Sequence, residues 1–409
     1  MDRQSFTYFC AQCKTEYEIT ANLMLCPKCR DTSLERKPLR GVLKVRLPET
    51  LRNSKRPGST FDIHDYLPVE RRYFPPVPVG NTPLVESPNL SASVGFNSLL
   101  LKFDGLNPTG SLKDRASYLV SAFARKNGIG KIAVASTGNA ASSMAGIAAA
   151  AGQEAVIFMP AAAPKAKLVQ CLQYGATVVP VRGNYDNAFD LSLQFSSRIR
   201  CLSRNTGYNP MTIEGKKTVS FEIANQMRGE KIDYVFVPVG DGVVLSGVVK
   251  GFQDLKFIGA IDSMPKVIGV QSEGSAFIHK AFTKGTFDFA YKAHTIADSI
   301  SVDIARNAYA AVEDLRALSG EVVLVSDDEI LGAQKILSAK SGLFCEPSSA
   351  ASFAGFLKMK DRIPADASVV LLLTGHGLKD VDSATKSVAF PAPVEPNIEA
   401  VLKILGERG

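Results

Sequence analysis

The chain has no tryptophan among its 409 residues and only four histidines. The missing tryptophan excludes no fold. His279 and His376 stand alone, with no partner visible in the sequence, and read as structural. Long apolar runs are missing too: AGIAAAAG and SVVLLLTG are the longest, far short of the roughly 20 residues that cross a bilayer. No membrane partner is therefore expected. The first residues, MDRQSFTYFC, contain no apolar h-region, so no secretory signal is expected and a cytoplasmic setting is. A large excess of one charge is also absent. The net charge is +7, with Lys and Arg scattered among Asp and Glu over most of the length. The densest basic stretch, ERKPLRGVLKVRLPETLRNSKRP from Glu35 to Pro57, lacks the interleaved aromatics of a single-strand binder. Nucleic acid is not an expected partner.

What is present is an ordinary soluble composition, 45% hydrophobic and 21% charged, in a chain long enough for two domains with separate cores. Seven cysteines, four of them in two CxxC pairs, suit a reducing compartment and a metal better than a disulfide framework. Cys10, Cys13, Cys26 and Cys29 fall in FCAQCKTEYEITANLMLCPKCRD, with twelve residues between the pairs. Two such knuckles bring four thiolates into tetrahedral reach of one Zn²⁺ and leave no open coordination position, so the zinc expected here is structural. A segment this small lacks a core of its own, and the metal would supply its folding energy. Redox-active CxxC pairs, or a ribbon that has lost its metal, are the alternatives. Residues 1–35 are read as this zinc-ribbon-like unit and 36–80, rich in Pro, Arg and Ser, as an extended connector.

Beyond the connector the pattern alternates. NSLLLKFD, KIAVAS, EAVIFMP, TVVPV, DYVFVPVG, KVIGVQSEG and SVVLLLTG read as strands, and helical patterns stand between most of them. Short β-branched runs alternating with helices predict βαβ units and a parallel sheet, an α/β fold. KKTVSFEIANQMRG is predicted to be one helix. The tail PAPVEPNIEAVLKILGERG, 391–409, reads as a proline linker and a short amphipathic helix.

Four turns rich in glycine or hydroxyl residues follow strand-like runs, at the end of the sheet where open α/β folds bind ligands. NPTGSLKDR offers the amine of Lys113 at a turn-to-helix junction. STGNAASS offers hydroxyls and a carboxamide, VPVGDGVVLSG a strand, glycine turn and helix that would cradle a phosphate, and TGHGLKD a hydroxyl. Each alone is weak. Gly240-Asp241-Gly242 is neither a dinucleotide fingerprint nor a P-loop. Together they provide what an aldehyde cofactor with a phosphate tail needs: an amine, a phosphate cradle and partners for its ring.

NPTGSLKDR, STGN, the turn after VPVG, CEPSSAAS and TGHGLKD, in this order and spacing from about Gly80 to Asp380, resemble the pyridoxal-phosphate enzymes of fold type II, and within them the threonine synthase branch. The resemblance implies pyridoxal 5'-phosphate as cofactor and two α/β domains of parallel or mixed sheets flanked by helices. The larger would span 81–108 and 205–390 and the smaller 109–204, with the ligand cleft between them. It implies Lys113 as the lysine that carries the cofactor and shuttles protons, and Asn139 as partner of the ring hydroxyl. Gly240, Asp241, Gly242, Val243 and Val244 would form the phosphate turn, and Thr374 would face the ring nitrogen. Ser136 and Thr137 would lie at the substrate's α-carboxylate, with Ala140 and Thr212 lining the rest of the substrate site. CEPSSAAS is expected as a turn shaping the pocket. Members are commonly homodimers.

Departures from that pattern bear on the substrate, which is an amino acid. Leu112 replaces a phenylalanine, and Val243 stands where a further glycine is common. Ala140 stands where that branch carries a threonine. Thr206, Gly207 and Thr212 stand where it recognises a substrate phosphate with an Asn-Ser pair and an arginine, which leaves Lys216 or Lys217 to substitute. The implied reaction is O-phospho-L-homoserine plus water to L-threonine and phosphate. The alternative is an ammonia-lyase or β-replacing enzyme acting on serine, threonine, diaminopropionate or a related amino acid. A non-catalytic cofactor-holding protein or zinc-ribbon adaptor is a third reading, opposed by the retained Lys113.

Overall fold

The computed structural model describes residues 5–31, 37–162, 165–287 and 292–406. Three short strands, β1 (Thr7–Cys10), β2 (Glu16–Tyr17) and β3 (Leu43–Arg46), form an antiparallel sheet in the order β2-β1-β3. The segment expected as connector thus completes the ribbon. A two-stranded hairpin is marginal in water, and β3 covers the open side of β1, burying Tyr8, Cys10, Leu43 and Val45. The expected boundary at residue 35 lies outside the described residues.

The remaining strands are β4 (Leu84–Glu86), β5 (Leu99–Phe103), β6 (Lys131–Ala135), β7 (Glu154–Pro160), β8 (Thr177–Val181), β9 (Leu202–Ser203), β10 (Tyr234–Pro238), β11 (Lys266–Ser272), β12 (Glu321–Val325) and β13 (Val369–Leu373). They sort into two sheets, β12-β11-β10-β13-β5-β4 and β8-β7-β6-β9. All pairings are parallel except β4 with β5. Central strands read as unbroken apolar runs because helices cover both faces. β13, VVLLL, is buried along its whole length. The strands not singled out in the sequence, β4, β9 and β12, all lie at sheet edges, where the apolar signal is weakest.

Helices fill the crossovers. The helix Asn139–Ala151 ends at Gly152 and the helix Val243–Ile258 at Gly259, each glycine in the left-handed conformation that closes a helix. The stretch predicted as a helix after Asn209, KKTVSFEIANQMRG, forms Thr218–Met227, and a short helix, Met211–Lys216, precedes it and meets it at Lys217. CEPSSAAS is mostly the first turns of the helix Pro347–Met359, with proline at its permitted first position. A final helix, Ile398–Leu405, leaves Ile398, Ile404 and Leu405 exposed. Among the described residues no helix is long and apolar enough to cross a membrane.

This topology directs the carboxyl ends of β10 and β13, central in the larger sheet, and of β6 and β9 in the smaller one, toward a common cleft. That is the ligand-binding end of an open parallel sheet.

Candidate active site

The lysine turn is locked by its own neighbours. Thr109 donates from both its N–H and its hydroxyl to the carboxylate of Asp114. Gly110 adopts φ +88°, and a Cβ there would lie 3.1 Å from the Lys379 side chain. The Leu112 N–H donates to the Thr374 carbonyl at 2.8 Å, tying this turn to the one after β13. The helix Lys113–Lys126 then begins at the lysine itself. Two residues on, Arg115 is buried with Asp104 and Glu222, each at 2.6 Å, and Lys102 reaches Glu222 at 2.8 Å. The network clamps the first turn of the helix to β5 and to the helix Thr218–Met227.

Lys113 lies on the wall of a cavity of about 270 Å³. None of the described residues forms a hydrogen bond or ion pair with its amine. Burial lowers its pKa; Asp241 and Glu346 oppose the shift and Arg204 reinforces it. A lysine so placed reaches the neutral, nucleophilic form more readily than a solvated one.

Ser136, Thr137, Asn139, Ala140, Gly240, Asp241, Val244 and Thr374 line the same cavity. Thr374 shares a hydrogen bond with Ser349 at 3.0 Å, and Asn139 donates to both oxygens of Glu346 at 3.0 Å. Two helices begin at the cavity, Asn139–Ala151 behind the STG turn and Val243–Ile258 behind the Gly240–Gly242 turn. Their unpaired N–H groups favour anions.

Gly242, Val243 and Thr212 do not line the cavity. Gly242 sits at φ +91°, where a Cβ would meet Ala311 at 2.7 Å, so it shapes the turn from behind. The Val243 N–H donates to Asp241 Oδ1 at 3.0 Å, and its side chain belongs to the apolar cluster that includes Ala11 and Leu25 of the ribbon. The expected substrate contact at Thr212 is corrected: its hydroxyl donates to the Asn209 carbonyl at 2.7 Å and is wholly buried. Lys217 is no substitute for a phosphate clamp either, being committed to Glu214, Asp254 and the Tyr66 carbonyl. Lys216 donates to Thr206 at 3.2 Å, and Thr206 reaches the cavity.

Several cavity residues escaped the sequence reading as site residues, among them Arg204, Tyr185, Glu346 and the segment 298–304. Glu346 carried a local signal, lying within CEPSSAAS. Arg204 carried none, since it follows a strand of two residues. The expected structural role of His376 agrees with its contacts. Its Nδ1 accepts the Leu378 N–H at 3.1 Å and its ring packs on Phe103 and Phe344. Away from the cleft, the sulfurs of Cys10, Cys13, Cys26 and Cys29 lie within 4.8 Å of one another, a geometry open to one tetrahedral metal.

An unpartnered amine, an anion-favouring helix start and a hydroxyl-bearing turn at the mouth of two parallel sheets define an enzyme site for a carbonyl cofactor with an anionic tail. The donor set fits pyridoxal phosphate. Comparison with known proteins agrees: residues 77–375 match the family described as pyridoxal-phosphate dependent enzyme, and the chain belongs to that family. The fold is that of its fold type II members. Among curated relatives, the threonine synthase of Methanocaldococcus jannaschii is 37% identical, covering 80% of this chain and 82% of its own. That of Methanosarcina acetivorans is 35% identical over 96% of both chains. Among solved structures, threonine deaminase isoform 2 of Solanum lycopersicum superposes with a TM-score of 0.66 at 23% identity, covering 91% of this chain and 97% of its own. Maize serine racemase gives 0.64 at 23% identity, covering 75% and 91%. At that identity the two structures speak for the fold alone.

Proposed function

We propose that the protein is a threonine synthase, converting O-phospho-L-homoserine and water to L-threonine and phosphate. The observation that carries this reading is the end-to-end match, 96% of both chains, with a threonine synthase.

Pyridoxal phosphate, when bound, supplies the electron sink that acidifies the substrate's carbons. Lys113 holds the cofactor, and its Nζ takes the substrate's α-proton and returns protons along the side chain. The head of the helix Asn139–Ala151, with Ser136 and Thr137, receives the α-carboxylate. Gly240, Asp241 and Val244 would hold the cofactor's phosphate tail, with Gly242 and Val243 shaping that turn from behind, and Asn139 would hold the ring. Thr374 would hold the ring through its hydroxyl, which does not force protonation of the ring and suits elimination and addition on the side chain. The four ribbon cysteines hold one structural Zn²⁺. A cytoplasmic homodimer, with a smaller domain over 109–204 and a larger one over 81–108 and 205–390, belongs to the same reading.

A second reading has specific support. Ala140 offers no hydroxyl to the cavity, and Thr212 is turned away from it. Both suit an ammonia-lyase or β-replacing enzyme with an unphosphorylated substrate. Phosphate release from O-phospho-L-homoserine by the cofactor-loaded protein, with threonine and keto acid followed in parallel, separates the two. Equal amounts of phosphate and threonine are expected. Ammonia and a keto acid from an unphosphorylated amino acid, without phosphate release, would establish the second reading.

A further inference from the structure

Arg204 is wholly buried, and no anion holds it. Its backbone is fixed at the end of the smaller sheet, where its N–H donates to the Ala133 carbonyl at 2.7 Å. Nε donates to Ser117 Oγ at 3.1 Å and Nη2 to the carbonyl of Lys113 at 3.3 Å, while Nη1 has no partner. It forms no ion pair with any described residue. Other buried cations are treated differently, Lys216 excepted: among the described residues it too has no ion pair, and it donates to Thr206. Arg115 is paired with Asp104 and Glu222, Arg306 with Asp186, and Lys217 and Lys250 with Asp254.

The charged and titratable groups facing Arg204 are Asp241, Tyr185 and Asp114, and the amines of Lys113 and Lys216 lie near it as well. Asp241 accepts from Val243 and Thr206, Asp114 accepts both donors of Thr109, and Tyr185 donates to the Ala135 carbonyl. None is left over for the guanidinium. An arginine keeps its charge at neutral pH, and a buried charge without a partner is unfavourable. Among the described residues lining the cavity, Lys113 and Arg204 are the cations. Lys113 is required by the cofactor, so Arg204 remains.

We infer that Arg204 is the anion receptor of the substrate site, its unpartnered Nη1 taking the phosphate of the amino-acid substrate with the Thr206 hydroxyl beside it. This deepens the threonine synthase reading and rests on it for the identity of the phosphate. The cofactor's own phosphate is expected in the turn that heads the helix Val243–Ile258, on the larger sheet. Arg204 reaches the cavity from the smaller sheet, against the carbonyl of the lysine.

The test uses the cofactor-loaded protein, R204M and R204K. Inorganic phosphate is titrated against the cofactor's visible spectrum, and KM and kcat are measured with O-phospho-L-homoserine. R204M should keep its cofactor content, lose most of its affinity for phosphate and raise KM at least tenfold, with a smaller effect on kcat. R204K should recover part of the affinity, since it restores the charge without the planar fork. Should R204M fail to fold, R204K carries the test by a partial loss of phosphate affinity at unchanged cofactor content, and unchanged affinity and KM in R204K overturn the assignment. Unchanged phosphate affinity and KM in R204M overturn the assignment and leave the threonine synthase reading standing. Loss of the cofactor with phosphate affinity intact also overturns it, and assigns the guanidinium to the cofactor. A wild type that binds phosphate through Arg204 yet does not convert O-phospho-L-homoserine upholds the assignment and retires the threonine synthase reading.

Discussion

Lys113 shows how much a single residue depends on its surroundings. In water its amine would be a solvated cation; here burial lowers its pKa and no described residue pairs with it. Lys113→Ala should abolish the visible absorbance that borohydride removes from the loaded protein; a K113A protein retaining it would displace the lysine assignment. Because the pKa is lowered, the neutral amine persists further down the pH scale than for a free lysine. Cofactor attachment, followed by absorbance, should weaken as pH falls through that lowered value. Lys113 and the STG turn were legible because local turn chemistry marks them. Arg204 and the orientation of Thr212 were not, since both are set by contacts between distant segments.

At the scale of the element, the helix Lys113–Lys126 is placed by charge. Arg115 is joined to Asp104 and Glu222, and Glu222 to Lys102, all buried. Burial alone would push the Glu222 carboxylate up, but Arg115 and Lys102 more than offset it and leave it at about 2, below its ordinary 4.5. The folded value is depressed, so this stabilisation is present above pH 4.5 and is lost as pH falls toward 2. The shift corresponds to about 3 kcal/mol. Arg115→Met leaves two carboxylates facing each other and should destabilise by about 3–5 kcal/mol, measured by urea unfolding at neutral pH. In Glu222→Gln, the stability lost by the wild type between pH 4.5 and 2 should shrink. An unchanged acid profile would mean that the network contributes little.

At the scale of the molecule, the ribbon is bolted behind the cleft. Ala11, Leu25, Leu39 and Val42 pack with Ile213, with Val243 at the head of the phosphate-turn helix, and with Ala310. Lys44 pairs with Asp314, and the Leu39 N–H donates to the Arg306 carbonyl. In the proposed zinc-bound form a ribbon this small would draw folding energy from the metal, so its loss should loosen the wall supporting the Gly240–Val244 turn. Cys26→Ser, or chelation, should remove the metal and weaken cofactor affinity several-fold, read by metal content and by a cofactor titration. Metal-free protein binding the cofactor as tightly as loaded protein would limit the ribbon to its own fold.

The sequence alone determined the α/β alternation, the lysine turn, the glycine turn at Gly240–Gly242 and the cysteine quartet. Each is written in local signals: apolar period, glycine and hydroxyl turns, and short CxxC spacing. Only the tertiary structure decided that residues 43–46 complete the ribbon, that Thr212 and Lys217 turn away from the cleft, and that Arg204 enters it unpaired. Those outcomes depend on which buried polar groups find partners across the chain, and low-dielectric pairing between segments far apart in sequence leaves no trace in local pattern.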